Sequence, residues 1–227
     1  MSDAYHPPLE EYLEAIHALS EEGVDVIQAR LVERLGHSPQ AVSEMVRRLE
    51  DDGYLVRTGR AVDLTARGHE RADSVVRRHR LAERFLVDVV GLPWVQAHIE
   101  AGRWEHVISD DVEARFVEIL GNPTTCPHGN PIPGTPPDTV PQWAMSDTSP
   151  GDHVRLARIT ERVEIDAEAL RYLDEHGFVP GRGARVRHRA PDGTLTLELD
   201  ETEGSPDGEH TVAIGAAMCR QLFVVGV

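Results

Sequence analysis

The chain has 227 residues, with 23 basic side chains against 39 acidic ones and a formal net charge of −16. That balance argues against a uniformly basic nucleic-acid binder. Two cysteines exclude a disulfide framework, and no uncharged apolar stretch approaches the ~18–20 residues of a membrane span. The charge is uneven: residues 28–84 hold 12 Arg and 9 acids, a local net of +3, while the remainder carries −19. The N-terminal run MSDAYHPPLEEYLEAI has acids where a secretory signal needs cations, which predicts a cytoplasmic protein with reduced thiols.

In chain order, Leu9, Tyr12, Leu13, Ile16 and Leu19 recur at helical spacing and predict a helix over 9–21. A second helix is predicted over 25–35, stopped by Gly36. Ser38-Pro39 opens a third, with Ser as N-cap and Pro at the first helical position; it ends near Gly53. Residues 54–57 and 61–64 form a predicted hairpin around Thr58-Gly59-Arg60. A long helix over 66–90 follows, broken by Gly91-Leu-Pro93, then helices over 94–107 and 109–120. Residues 121–150 are Pro/Gly/Thr-rich and read as loop or linker. Beyond 151, strand-like runs at 153–159, 183–188, 194–199, 211–214 and 221–225, with one helix over 166–174, predict a small β-barrel. Asp200–His210 reads as a mobile acidic loop. Cys219 reads as a buried strand residue, and Trp94, Trp104 and Trp143 as core or domain-contact residues.

Helix, tight turn, capped helix and hairpin are the pattern of a winged helix-turn-helix. The second helix of such a unit needs short polar residues at its N-terminus to reach base edges and Arg to meet phosphates. Ser38, Pro39, Gln40 and Ser43 fit the first need. Arg47 and Arg48 on the helix, with Arg57 and Arg60 on the hairpin, fit the second. Glu44 is awkward beside phosphates unless it accepts from cytosine. The bland alternative is a helical hairpin with a solvated charged face.

Two carboxylate–imidazole pairs stand out. Positions 102, 105 and 106 lie at i, i+3 and i+4 and share a helix face, so Glu105 and His106 form half a divalent-metal site that Glu10, Glu11 or Glu14 could complete. His79 and Glu83 form a second pair at i, i+4, with His98 on the next helix. Cys126-Pro-His128 places a thiol and an imidazole two residues apart in a rigid loop, where both can face one ion. Each pair alone also reads as a solvated ion pair.

These residues carry a resemblance. EEYLEAIHAL, VVRRHRLAERFL, RWEHVISDDVEARF and PHGNPIPG resemble the diphtheria toxin repressor family of metal-dependent bacterial transcription regulators, over nearly the whole chain. The resemblance implies a mainly α protein with a β C-terminal domain: a winged helix-turn-helix at 1–72, a helical dimerisation and metal-binding domain at 73–143, and an SH3-like barrel at 151–227. It implies a homodimer on double-stranded operator DNA, a repressor of metal homeostasis, with no membrane and no small-molecule substrate. By the same resemblance the main metal site falls on Glu11, position 102, Glu105 and His106, with Glu14 as a second first-helix carboxylate in the manganese-sensing branch. The chain departs from the pattern at Gly102, which offers only its carbonyl. The ancillary site falls on His79, Glu83 and His98, extended by Cys126 and His128, with Asp166 as the barrel's acidic ligand and fastening the barrel to the helical domain.

A main site of carboxylate, carbonyl and imidazole is hard and suits Mn²⁺, with Fe²⁺ as the alternative. A metalloenzyme is a remote rival: HExxH, the nucleophile elbow and the phosphate loop are all missing from the sequence, so no enzyme activity is expected. A regulator answering a small molecule, with structural histidines, is a second rival.

Overall fold

The computed structural model describes residues 8–201 and 211–227. The chain packs as two units. The first takes the chain up to Phe85 with Ile99–Pro123 and Ile132–Thr135; the second takes Leu86–His98, Thr124–Pro131 and Pro136–Val227.

In the first unit, α1 (Pro8–Glu21) buries Tyr12, Leu13, Ile16 and Leu19, the apolar stripe of its sequence. α2 (Gln28–Leu35) ends at Gly36, whose φ of 68° is the left-handed C-cap that glycine adopts without penalty. The predicted start at Asp25 is three residues early. Val62 N donates to Val26 O, and Ile27 bridges Ala61, so the β-branched run before α2 extends alongside the hairpin instead of coiling. α3 (Pro39–Asp51) begins as read, with the Ser38 hydroxyl accepting from Ala41 N at 3.2 Å. β1 (Leu55–Thr58) and β2 (Ala61–Leu64) pair antiparallel around Gly59-Arg60.

α4 (Ala66–Phe85) is shorter than the predicted 66–90, because a π-helical turn takes over at Leu86–Val90. Val87, Val89 and Val90 lose χ1 freedom in a regular helix. α5 (Trp94–Trp104) stops before Glu105 and His106, which therefore stand on the turn that follows it. α6 (Asp110–Ile119) is capped by the Ser109 hydroxyl.

Among the described residues, the second unit holds an antiparallel six-stranded sheet in the order β3-β8-β4-β5-β6-β7. Its strands are β3 (Trp143–Ala144), β4 (His153–Ile159), β5 (Gly183–Arg189), β6 (Leu195–Leu199), β7 (Thr211–Ile214) and β8 (Leu222–Gly226). Alternating residues such as Val154, Leu156, Val186, Leu195, Leu197, Val212 and Val224 form its core with Leu170, Leu173 and Phe178. Register shifts in β4 and β5 mark bulges that bend the strands. The helical pieces are α7 (Glu161–Glu164), α8 (Ala167–Glu175) and α9 (Ala216–Cys219). Neither α7 nor α9 is legible as a helix from so short a run. Cys219 is buried as expected, but on α9 and not on a strand. β3 lies inside the segment read as linker. Trp94 and Trp143 pack against this core, while Trp104 is half-buried and donates to Glu100 at 2.9 Å. Of the expected acidic loop, residues 202–210 lie outside the described residues.

The fold is mainly α with a β C-terminal domain, and it contains the winged helix-turn-helix. No helix among the described residues is long and apolar enough to cross a membrane.

Candidate functional site

The first unit gathers carboxylates and imidazoles from three stretches of sequence. α1 supplies Glu10 and Glu14, α4 supplies His79 and Glu83, and the turn after α5 supplies Glu105 and His106. His106 Nδ1 lies 2.5 Å from Glu10 Oε2, and its Nε2 lies 3.1 Å from Glu105 Oε1. His79 Nδ1 lies 2.5 Å from Glu105 Oε2, and its Nε2 lies 3.2 Å from Glu83 Oε1. Glu10 also pairs with Arg71. Glu10, Glu83 and Glu105 are all buried, where an unpaired charge is costly.

Burial disfavours the imidazolium of His79, yet Glu83 and Glu105 overcome it and hold its pKa well above the usual value. Burial likewise opposes charge on His106, and Glu105 and Glu10 raise its pKa. Glu105 shows the mirror effect. Burial pushes its carboxyl up, but His79 and His106 bring it down to about 2.

Within this cluster, ligand atoms of Glu14, Glu105 and His106 lie within 4.8 Å of one another. Two carboxylates and an imidazole at that spacing fit one hard divalent cation. Glu11, the ligand carried over by resemblance, is outside this group. It lies about 100° round the helix from Glu10, and its charge joins burial in raising the Tyr12 pKa. Gly102 stands in the last turn of α5, and a Cβ built on it meets nothing within 4 Å. The position has room for a ligand side chain, and the sequence supplies none.

The second unit holds another cluster. His98 Nδ1 and His128 Nδ1 lie 3.4 and 3.5 Å from the same carboxylate oxygen, Glu164 Oε2. Asn130 Nδ2 donates to the other oxygen of Glu164 at 2.5 Å and to Ile159 O at 2.7 Å, fixing the carboxylate. Cys126 and His128 are buried in a tight turn closed by Gly129 N donating to Cys126 O. Gly129 is obligatory there: its φ is +86°, and a Cβ would come within 2.0 Å of Ala157 O.

Asp166 is not the acidic member of this cluster. It is exposed, and its Oδ1 accepts from Glu168 N and Ala169 N at 3.1 Å as the N-cap of α8. Glu164, two residues earlier on α7, faces the imidazoles in its place. Sequence reading missed Glu164 because α7 itself was not foreseen; the alternation of acids in ERVEID is the one signal that pointed to this stretch.

The side chains expected to meet DNA stand on the solvent side of α3 and on the hairpin. α3 buries Val42, Val46 and Leu49, leaving Ser38, Pro39, Gln40, Ser43, Glu44, Arg47 and Arg48 exposed. Arg60 is exposed at the hairpin tip. Arg57 is already engaged, its Nε donating to Glu50 at 2.7 Å, so a phosphate there must compete with a carboxylate. Arg67, unremarked in the sequence, lies 4.3 Å over the Tyr54 ring and donates to Asp52 O at 2.7 Å, bracing the base of the wing.

Three family models match the chain: the iron dependent repressor N-terminal DNA binding domain over residues 6–61, the iron dependent repressor metal binding and dimerisation domain over 65–134, and the FeoA domain over 144–225. The iron-dependent repressor IdeR of Mycobacterium tuberculosis is 43% identical over 202 residues, covering 84% of this chain and 87% of its own. The diphtheria toxin repressor of Corynebacterium diphtheriae is 38% identical over 217 residues, covering 90% and 95%. A solved manganese-dependent transcriptional repressor in complex with manganese superposes with a TM-score of 0.85 at 33% identity, covering 96% of this chain and all of that one. With a DNA-binding domain, a metal-binding and dimerisation domain and a cluster of donors suited to a divalent cation in one chain, this protein belongs to the diphtheria toxin repressor family of metal-dependent, DNA-binding transcriptional repressors.

Proposed function

We propose that the chain is a Mn²⁺-activated repressor that binds a double-stranded operator as a homodimer, with the modules 1–72, 73–143 and 151–227 as reader, dimerisation and metal domain, and SH3-like domain. The observation that carries the choice of metal is the donor set. Glu14, Glu105 and His106 offer two carboxylates and an imidazole, with no thiol or thioether among them, and hard oxygen donors suit Mn²⁺. Fe²⁺ is the second reading, favoured by the identity to iron-dependent relatives.

Glu14, Glu105 and His106 would hold a divalent cation, whose positive charge would offset that of the two carboxylates. Glu14 then ties α1 to the turn that follows α5 through Glu105 and His106. Gly102 contributes at most its carbonyl, and Glu11 is available from the neighbouring position on α1. His79 orients Glu105, and Glu10 with Arg71 holds His106. The reader, connected through α1, is thereby selected in the arrangement that places two recognition helices of a dimer about one helical turn, ~34–36 Å, apart. Because the linkage is reciprocal, DNA tightens metal binding by the same factor that metal tightens DNA binding. The cluster of the second unit, His98, Cys126, His128 and Glu164, is proposed as ancillary donors, with His79 and Glu83 as donors of the first unit. Ser38, Gln40 and Ser43 are proposed to approach base edges, and Arg47, Arg48, Arg57 and Arg60 the phosphates.

The test is a DNA-binding titration with Mn²⁺ and anaerobic Fe²⁺ side by side. Mn²⁺ stimulating binding at the lower free concentration supports the manganese reading. Fe²⁺ doing so overturns it in favour of iron, and no stimulation by either overturns metal control.

A further inference from the structure

The Tyr12 side chain is almost fully buried, and its hydroxyl is hydrogen-bonded to His37 Nδ1 at 3.0 Å, with ring centroids 5.7 Å apart. A buried tyrosine needs a partner for its hydroxyl, and the partner chosen here is informative. His37 sits between Gly36, which ends α2, and Ser38, the N-cap of α3. It is therefore in the turn that fixes where the recognition helix begins. Tyr12 is in turn two residues from both Glu10 and Glu14 on α1. Glu10 and Glu14 share one side of the helix, and Tyr12 lies roughly 200° round from each. One helical turn thus presents carboxylates to the metal cluster and a phenol to the DNA reader.

We propose that Tyr12 is a positioning residue that passes metal occupancy to the N-terminus of the recognition helix through His37. The proposal deepens the metal-switch reading and rests on it. An α-helical turn is stiff, so a movement that draws Glu14 toward Glu105 and His106 displaces the Tyr12 hydroxyl with it. The hydrogen bond converts that displacement into a placement of His37 and Ser38. Val42, Val46 and Leu49, which bury the other side of α3, keep the rest of the helix seated, so the part most free to be steered is its exposed first turn, where Ser38, Gln40 and Ser43 stand.

The test compares native protein and Tyr12→Phe on a duplex selected from random-sequence DNA by the Mn²⁺-loaded native protein. Phe keeps the ring in the core and removes only the hydroxyl. Three affinities are measured: Mn²⁺ without DNA, DNA in excess chelator, and DNA in saturating Mn²⁺. The expected result is a Mn²⁺ affinity and a metal-free DNA affinity both close to native, with the Mn²⁺-induced gain in DNA affinity reduced roughly three- to tenfold, the scale of one hydrogen bond. An equal loss with and without Mn²⁺ overturns the proposal and leaves Tyr12 a structural residue; a full Mn²⁺-induced gain also overturns it. A double-mutant cycle with His37→Ala supplies the second arm: the two losses are expected to overlap, and strict additivity counts against the link. If the native protein itself shows no Mn²⁺-induced gain, the functional reading fails and this link with it, whereas a native gain that Tyr12→Phe retains removes the link alone.

Discussion

The two donor clusters use similar residue types in opposite ways. The cluster of the first unit is carboxylate-rich and is assembled from α1, α4 and the turn after α5, so its members are brought together only by tertiary packing. The cluster of the second unit adds a thiol to its imidazoles; it too joins distant stretches, His98 and Glu164 among them, but two of its donors stand on one turn. Cys126 and His128 share one turn, Gly129 locks that turn against Ala157, and Asn130 holds Glu164. A cation at the first cluster would add a tie through Glu14 to the Glu10–His106 contact that already links α1 with the turn after α5, as the proposed switch requires. Cys126 and His128 are pre-arranged by the backbone of their turn, as the proposed supporting role requires.

Substitutions can break or sharpen that contrast. The largest effect is expected at the shared residues: Glu105→Ala or His106→Ala should lower Mn²⁺ affinity by at least roughly 100-fold, since even outer partners of ligands contribute 10–100-fold, and should abolish metal-stimulated DNA binding. Isothermal titration and anisotropy read both effects. Next, Glu14→Ala should cost more than Glu11→Ala, about tenfold or more in Mn²⁺ affinity against a smaller change. The reverse order would restore the ligand implied by resemblance. In the second cluster, Cys126→Ser and Glu164→Gln should lower metal stoichiometry, measured by elemental analysis, while leaving Mn²⁺-stimulated DNA binding in place. Loss of stimulation in these variants would erase the distinction between switch and support.

The first unit also holds buried and half-buried ion pairs away from the donor cluster. Glu21 meets Arg80 at 2.5 Å and His17 at 3.3 Å. Burial raises its carboxyl pKa, but His17 and Arg80 outweigh burial and hold it well below the ordinary carboxylate range. A depressed folded-state pKa stabilises above the unfolded value and is lost as pH falls. Glu21→Gln should therefore destabilise by about 2 kcal/mol at neutral pH. The gap to native should close as pH drops below roughly 4, the unfolded carboxyl value, in denaturant titrations. The smallest effect is expected at Gly102. Its backbone is helical and its surroundings are open, so Gly102→Ala should stabilise by up to about 1 kcal/mol, and Gly102→Glu should add a ligand to the first cluster and tighten Mn²⁺.

Much of this was legible in the residues. Ser38-Pro39 located the start of α3 to the residue because the cap and the first-turn proline are local chemistry. Glu105 and His106 were legible as a pair, although they stand on a turn beyond α5 and not within it, since helix ends depend on packing. Residues 25–27 were read as helical because the short run Asp25-Val26-Ile27 gives no local hint that the hairpin will recruit it. Asp166 came from the resemblance, by its place just before α8, and Glu164 went unnoticed because the four-residue α7 leaves no local helical signal. Only the structure shows that Asp166 spends its carboxylate on the cap while Glu164 turns inward to His98 and His128. Whether Glu10, Glu11 or Glu14 faced the cluster was open in the sequence, because three carboxylates within one and a half turns leave the helix rotation undetermined.

The most direct test of the central claim is a reciprocal measurement on the native protein: DNA affinity with Mn²⁺ or with chelator, and Mn²⁺ affinity with or without saturating DNA. The account predicts that both ratios are large and equal, and that both collapse to one in His106→Ala. A DNA affinity that is indifferent to Mn²⁺, or a metal effect that survives in His106→Ala, would contradict it.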